Sequence, residues 1–524
     1  MSQITENKRS ILRGSFGSAI ATLLARLLGL FRVILEARVL GGGALATSWQ
    51  LAFLIPNLFR RLFGEGALAQ ALIPMLSHTE AEHGLQEVRK QLALVLSALT
   101  GLLIVITVAV SAIGLLIGNF SSSGYVKDAM TILPLMMPYV IFICLVGVMT
   151  AVVNTRKVFF LASLNALILN VVLIALLLTA QYIHWQHQQH ITWLLTAGVL
   201  ISGILQLLML GWLLKRYGVF PLFQRSIRPG KEIFQELFTL TLPGIIGGGV
   251  SQLSFLIDRT IALYVGDYAV PALSYTERLV YLPIGIVAVA LGSVLMADMS
   301  RAAANKRYAE MMDDMTLGLR YVWFFCAPLA IFMIAYREPL IRLLFMHGNF
   351  TEFNVQATEQ AMFFYAMGIP AFCALKVILP GFYARKKMTV PLKISLACIV
   401  FNIPLSILLM FPLKQGGIAL ATVISQMSNN LLLLYFLQKE QLSPDHRAVV
   451  RTMLRSIILA AVAAIPACYY GQLQNFCGSS WLCLMGCIFF FGLVYLGSSF
   501  MFKAPELREF IASLLSRKTP AKEC

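Results

Sequence analysis

The chain has 524 residues, of which 59% are hydrophobic and 12% charged, and a mean hydropathy of +0.79. Soluble globular domains carry about twice that share of charge. A soluble enzyme with a peripheral anchor, a disordered chain and a disulfide-built or collagenous scaffold are therefore excluded. Forty-one Lys and Arg against 24 Asp and Glu leave a net charge of +17, which in a soluble protein would point to nucleic acid. Here the basic residues lie between apolar runs, where they set orientation at an anionic membrane surface. Anionic lipids, and no nucleic acid, are the expected partners.

A helix crossing a bilayer needs about 20 mostly apolar residues. The first such run, 15–41, follows Lys8, Arg9 and Arg13 in the manner of a signal peptide. It holds Arg26, Arg32, Glu36 and Arg38, however, which a signal core would not carry, and so is expected to be retained as the first span. Further spans are expected at 46–76, 91–118, 129–153, 158–182, 192–214, 236–265, 270–299, 316–346, 356–383, 390–412, 416–438, 453–472 and 481–502. With the N-terminus inside, the alternate loops on the inner side, together with Arg455 at the start of span thirteen, hold 19 Lys and Arg, and the opposite loops hold only Lys127 and Lys414. One missed or extra helix in the middle would move every later loop to the wrong side, so the asymmetry predicts 14 spans with both termini cytoplasmic.

The longest inner loop, 215–235, is basic and carries Pro221, Pro229 and Gly230. It divides the chain into an N-terminal lobe (1–216, spans one to six), a linker (217–235), a C-terminal lobe (236–440, spans seven to twelve) and an appended pair of spans with a basic tail (441–524). The predicted fold class is thus an all-α polytopic membrane protein, two six-helix lobes plus two C-terminal helices. Each lobe opens with a charged helix, a very short outer turn and a second charged helix. Spans one and two meet at Gly41-Gly42-Gly43, and spans seven and eight at Gly266-Asp267. Paired halves of this kind are common in secondary transporters.

Chemistry-bearing motifs are sparse. The nine cysteines include no CxxC pair, and His184, His187 and His190 read as a polar interfacial turn rather than a metal site. There is no phosphate-binding GxxxxGK[ST] loop, so no ATPase, no catalysis and no resident cofactor are expected. Work must come from an ion gradient, the membrane potential or downhill movement of substrate.

The charges within spans carry the functional signal, because an ionisable group at mid-bilayer costs about 2.5–3.5 kcal/mol on insertion scales. Arg32 with Glu36, and Arg61 with Glu65, stand four residues apart and can pair on one helix face. Arg337, Glu338 and Arg342 lie near a span end, where long side chains reach the interface. Arg26, Arg32, Arg60 and Arg278 are harder to account for structurally; Arg26 and Arg60 have no acid three or four residues away. Arginine stays charged and grips phosphate with two parallel hydrogen bonds, so these four point to an anionic, phosphate-bearing substrate. Pro56, Gly64 and Gly66 in span two, Gly247-Gly248-Gly249 in span seven, and Pro283 in span eight mark bends that would let the structure move.

At these residues the chain resembles a family. ARLLGLFRVILEARVLGGG and PNLFRRLFGEGALAQALIP in spans one and two, ERLVYLPIGIVAVALGSVL in span eight, EPLIRLLFMHGNFT after span nine and KVILPGFYARKKMTVPLKI between spans ten and eleven are similar to the MurJ/MviN lipid II flippases. These belong to the wider multidrug/oligosaccharidyl-lipid/polysaccharide exporter superfamily. The resemblance implies movement of lipid II, a polyprenyl pyrophosphate bearing a disaccharide–pentapeptide, across the bacterial cytoplasmic membrane for peptidoglycan synthesis. Alternating access without chemistry is the expected mechanism, nothing in the sequence requires more than a monomer, and cell-wall synthesis proteins are expected partners. It places essential arginines at Arg26, Arg32, Arg60 and Arg278, and a functional acid at Glu65.

The chain departs from the family pattern at Val33 and Thr47, where acids are often found. A sodium site seen in parts of the family would use Asp258, Asn402 and Thr422, although Ser406 stands where a second acid is expected. Two alternative functions are a flippase for another polyprenyl-pyrophosphate oligosaccharide, which the same arginines would serve, and an exporter of cationic drugs, which would want buried acids instead.

Overall fold

The computed structural model describes residues 21, 23–64, 67–156, 158–183, 188–222, 249 and 252–516, and all regular structure among them is helical. By contacts the chain forms two compact units. Unit 1 is Met1–Pro271 with His347–Thr351, and unit 2 is Ala272–Met346 with Glu352–Cys524.

Unit 1 begins with α1 (23–40), which ends where Gly41 takes a φ of +76°. Helix α2 (Ala44–Phe59) runs into one π-helical segment, Arg60–Gly64, and α3 covers Ala67–His83. The interruption expected near Pro56 and Gly64 in span two is therefore a π turn. Pro56 lacks the N–H that would continue the α-helical ladder. Next come α4 (Leu85–Phe120), α5 (Gly124–Met136), α6 (Pro138–Thr155), α7 (Phe159–Tyr182) and α8 (Gln188–Arg216), then α9 over 252–265. Met137 alone separates α5 from α6, and Pro138 opens α6, so the pair accounts for span four. The core is mainly aliphatic, with Leu92, Leu103, Leu133, Val140, Leu173 and Val199, and encloses Trp49 and Tyr139. Gly203 permits α8 to approach α6, since a methyl group there would stand 2.9 Å from Tyr139 and Phe142.

Helix α10 (Ala269–Ala304) leads into unit 2, followed by α11 (Tyr308–Ala335), α12 (Arg337–Phe345), α13 (Glu352–Met367), α14 (Ile369–Tyr383), α15 (Thr389–Lys439), α16 (His446–Ala463), α17 (Tyr470–Cys477), α18 (Ser480–Met501) and α19 (Pro505–Ser516). Expected spans eleven and twelve are the two arms of α15, which breaks at Lys414 with a φ of 51°. Among the described residues nine helices are long and apolar enough to cross a membrane. Helix α1 is not one of them because it carries four ionisable side chains, and α2 stops at the π turn. The Gly247–Gly248 part of the expected hinge and His184 and His187 lie outside the described residues.

Large apolar side chains also lie on outward faces. Val105 and Val108 on α4, and Phe489 and Phe500 on α18, are exposed, a surface suited to hydrocarbon rather than water.

Polar contacts between turns gather at helix ends. In unit 1 the Thr47 hydroxyl donates to Asp267 O, Ser48 Oγ to Tyr125 O at 2.9 Å, and Tyr125 Oη to Leu263 O at 3.2 Å. A separate set joins Arg89 Nε to Phe220 O at 2.8 Å and Arg156 Nη1 to Glu80 Oε1 at 2.7 Å. In unit 2, Glu440 accepts from Arg385 and from Lys387, the latter at 2.7 Å.

Helix α19 is tied down by Glu506, which is fully buried. Its carboxylate accepts from Arg320 Nε of α11 at 3.0 Å, Thr452 Oγ1 of α16 at 2.6 Å, and Arg455 of α16. Burial raises the Glu506 pKa, but the Thr452 hydrogen bond and the two arginines outweigh it, and the net shift is downward. Removing one partner of a buried charge pair costs about 3–5 kcal/mol; the arginines keep some solvent contact, which favours the lower figure. Glu506→Ala should lower the thermal unfolding midpoint of the purified protein by several degrees, and an unchanged midpoint would contradict the role given to this contact. Because the folded-state pKa lies below the ordinary one, the stabilisation is present above the usual carboxylate range and is lost as pH falls through the depressed value. Unfolding midpoints measured from pH 7 down to about pH 3 should therefore fall more steeply for the wild-type chain than for Glu506→Gln.

Candidate functional site

The expected substrate arginines come from three elements. Helix α1 supplies Arg26 and Arg32, the π turn supplies Arg60, and α10 supplies Arg278. Arg26, Arg32 and Arg60 belong to unit 1 and Arg278 to unit 2.

Arg26 is half-buried, next to the α1 carbonyl of Ala25, which accepts from Asn170 Nδ2 at 3.3 Å. Arg32 is only 7% exposed. Its Nε stands 3.4 Å from Glu36 Oε1 and its guanidinium 5.8 Å from the centroid of the Phe53 ring. The i,i+4 pairing expected from the sequence thus forms, and Phe53 adds a cation–π contact that α1 alone does not reveal. An anion reaching Arg32 in this conformation would compete with Glu36.

The π turn aims two successive arginines differently. Arg60 Nε donates to Asn57 Oδ1 at 3.0 Å within the same helix. Arg61 Nη1 donates to Gln252 Oε1 at 3.1 Å, and its guanidinium lies 5.6 Å from the Phe255 ring centroid on α9. The expected partner Glu65 lies outside the described residues. A π turn adds a residue to the helical repeat and is common at functional positions; here it holds the Arg60-Arg61 pair.

In unit 2, α10 is pinned at the three residues that precede its arginine. Thr276 Oγ1 donates to Thr358 O at 3.1 Å, Tyr365 Oη donates to Glu277 Oε1 at 2.9 Å, and Tyr275 stacks on Phe345 at 5.3 Å. Arg278 itself is half-buried. Glu277 is thereby oriented by a tyrosine from α13, a partner 88 residues away that no local spacing announces.

Other charged residues in or near the spans find structural partners. Arg337 Nε meets Glu359 at 2.8 Å, Arg342 joins Glu338 at 2.9 Å and also Glu352, and Arg320 holds Glu506. Lys376 and Lys393 are exposed. Of the residues named for an ion, Asp258 is buried in unit 1, while Asn402 and Thr422 are in unit 2. Ser406 Oγ lies 3.5 Å from Asn402 Oδ1, and Thr422 Oγ1 donates to Ile418 O at 3.0 Å. Among the described residues no group of three or more His, Cys, Asp and Glu side chains is arranged to hold a metal ion.

Comparison with known proteins places this arrangement. Residues 36–485 match the family model described as lipid II flippase MurJ. A probable lipid II flippase MurJ of Rhizobium meliloti (strain 1021) is 30% identical over 421 residues, covering 79% of this chain and 78% of that relative. Among solved structures, a lipid II flippase MurJ in an inward closed conformation superposes with a TM-score of 0.77 at 24% identity, covering 93% of this chain and 98% of that one. An inward-facing multidrug resistance MATE family transporter of the MOP superfamily gives 0.68 at 13% identity, covering 80% and 98%. The fold is therefore shared with both kinds of transporter, and the sequence match over 36–485 separates them: the chain belongs to the lipid II flippase MurJ family.

Proposed function

We propose that this protein carries lipid II from the inner to the outer leaflet of the bacterial cytoplasmic membrane, by alternating access and without changing a covalent bond. Membership of the MurJ family carries this proposal. The arginines give it a mechanism. Arg26, Arg32, Arg60 and Arg278 bind the pyrophosphate, Glu65 tempers their field, and the polyprenyl chain stays in the bilayer throughout. Arg32 enters this step by exchanging its Glu36 contact for phosphate oxygens, and the fixed orientation of α10 by Thr276 and Tyr365 keeps Arg278 in place. The protein works as a monomer that hands its product to cell-wall synthesis enzymes.

The proposed topology has 14 crossings with both termini in the cytoplasm. Two observations support it. Lys and Arg crowd one set of alternate loops. In addition, the turns after expected spans one, three and seven bond to one another, as do those after spans two and six.

The membrane potential, negative inside, favours outward movement of an anion by about 2.3 kcal/mol per charge per 100 mV. This drive needs no ion site, whereas a sodium-coupled cycle would use Asp258, Asn402 and Thr422.

The test is replacement of the native lipid II flippase in depleted bacteria, reading the fraction of lipid II open to an enzyme added outside. Charge-assisted hydrogen bonds contribute about 1.5–3 kcal/mol, so Arg26→Ala and Arg278→Ala should each lower exposure about 10-fold to 100-fold at unchanged protein level. Wild-type exposure in both would refute the assignment. In sealed proteoliposomes, transport should follow an imposed potential and persist when sodium is replaced by potassium on both sides. Abolition in sodium-free buffer would instead establish sodium coupling.

A further inference from the structure

Helix α10 is held near Arg278 by three other helices of unit 2. Tyr275 stacks on Phe345 of α12, Thr276 donates to the Thr358 carbonyl of α13, and Tyr281 packs against Phe372 of α14 with ring centroids 5.6 Å apart. Among these anchors is a contact that ends on a charge: Tyr365 Oη of α13 donates to Glu277 Oε1 at 2.9 Å.

Helix α13 is itself fixed on its other faces. Glu359 meets Arg337 of α12 at 2.8 Å, and the Arg337 guanidinium lies 5.4 Å from the Phe363 ring centroid. Gln415 of α15 donates to Ala357 O and to Gln360 Oε1, each at 2.9 Å. Thr358 and Tyr365 stand two helical turns apart and share the face turned to α10. Both are 1% exposed, so the Tyr365 hydroxyl is presented from a fixed frame.

A buried tyrosine hydroxyl wants an acceptor, but a backbone carbonyl would serve. Burying a carboxylate for that purpose costs far more than replacing the tyrosine by phenylalanine. The contact is therefore better explained by what it does to Glu277. That residue is half-buried and directly precedes Arg278 on α10. Successive residues of a helix point about 100° apart, yet both side chains are long, and at low dielectric an acid pulls strongly on any cation near it. A carboxylate oxygen that accepts from a fixed hydroxyl is held in place and spends part of its charge on that bond.

We infer that Tyr365 is a positioning residue for Arg278 that acts through Glu277: its hydroxyl holds one oxygen of the carboxylate at α13 and so sets how much of the Arg278 charge is left for a phosphate. The inference rests on the transport function proposed above. It goes beyond the fixing of α10, because the pull of the Glu277 charge, and not only the place of the helix, is what Tyr365 controls. Without the hydroxyl the carboxylate turns toward the nearest cation, and Arg278 is its neighbour in the chain.

Binding of a polyprenyl pyrophosphate to the purified full chain tests it. Tyr365→Phe removes the hydroxyl and keeps the ring, and should weaken binding about 10-fold. Glu277→Asp keeps the charge but falls short of Tyr365, and should weaken binding by a similar factor. Glu277→Gln should bind at least as tightly as the wild-type chain, and adding Tyr365→Phe to it should change the affinity by less than about twofold. Wild-type affinity in both Tyr365→Phe and Glu277→Asp would overturn the inference. An equal loss from Tyr365→Phe with and without Glu277→Gln would also overturn it, and would leave the tyrosine a packing role. Should Tyr365→Phe fail to fold, the contrast between Glu277→Asp and Glu277→Gln still decides, and equal affinities for those two would overturn the inference. Failure of the wild-type chain to bind the polyprenyl pyrophosphate would count against the proposed function instead.

Discussion

A guanidinium in a hydrocarbon medium is costly, and unlike a carboxylate or an amine it cannot escape by losing its proton. Each arginine within a span must therefore be answered by a carboxylate, by polar or aromatic neighbours, or by a ligand. Much of this structure can be understood as those answers. Arg32 has Glu36 and Phe53, Arg61 has Gln252 and Phe255, Arg337 has Glu359, and Arg320 and Arg455 share Glu506. Arg60 has Asn57, and in the proposed function a pyrophosphate is the ligand of Arg26, Arg60 and Arg278 and competes for Arg32. In the proposed function an anionic headgroup turns an energetic liability of the fold into a binding site.

The same constraint separates two classes of charged residue. Glu506 is enclosed by two arginines and a threonine, and its chemistry is spent on holding α19 to α11 and α16. Glu277 accepts from Tyr365 of α13 and sits beside Arg278 on α10. The first arrangement is a clamp and the second a positioned acid next to an arginine proposed to bind substrate.

Much of this was legible in the sequence. Apolar runs located many of the helices, because they follow from the cost of moving polar groups into hydrocarbon. The Arg32–Glu36 pair was legible because i,i+4 spacing alone brings the side chains together. The break in span two was announced by Pro56 and Gly64, although its form, a π turn, was not. Contacts between distant segments could not be read: Gln252 with Arg61, Tyr365 with Glu277, and Asn349 with the end of α1 have sequence separations of 191, 88 and 310. Local periodicity carries no information about such pairs.

The central claim is that the arginines recognise a pyrophosphate rather than the sugar, the peptide or the lipid chain. The most direct measurement is binding to the purified protein of two polyprenyl lipids that differ only in carrying a pyrophosphate or a single phosphate. The account predicts that the pyrophosphate form binds at least 10-fold more tightly, and that this advantage disappears in Arg278→Ala. Equal affinity for the two lipids in the wild-type protein would contradict it.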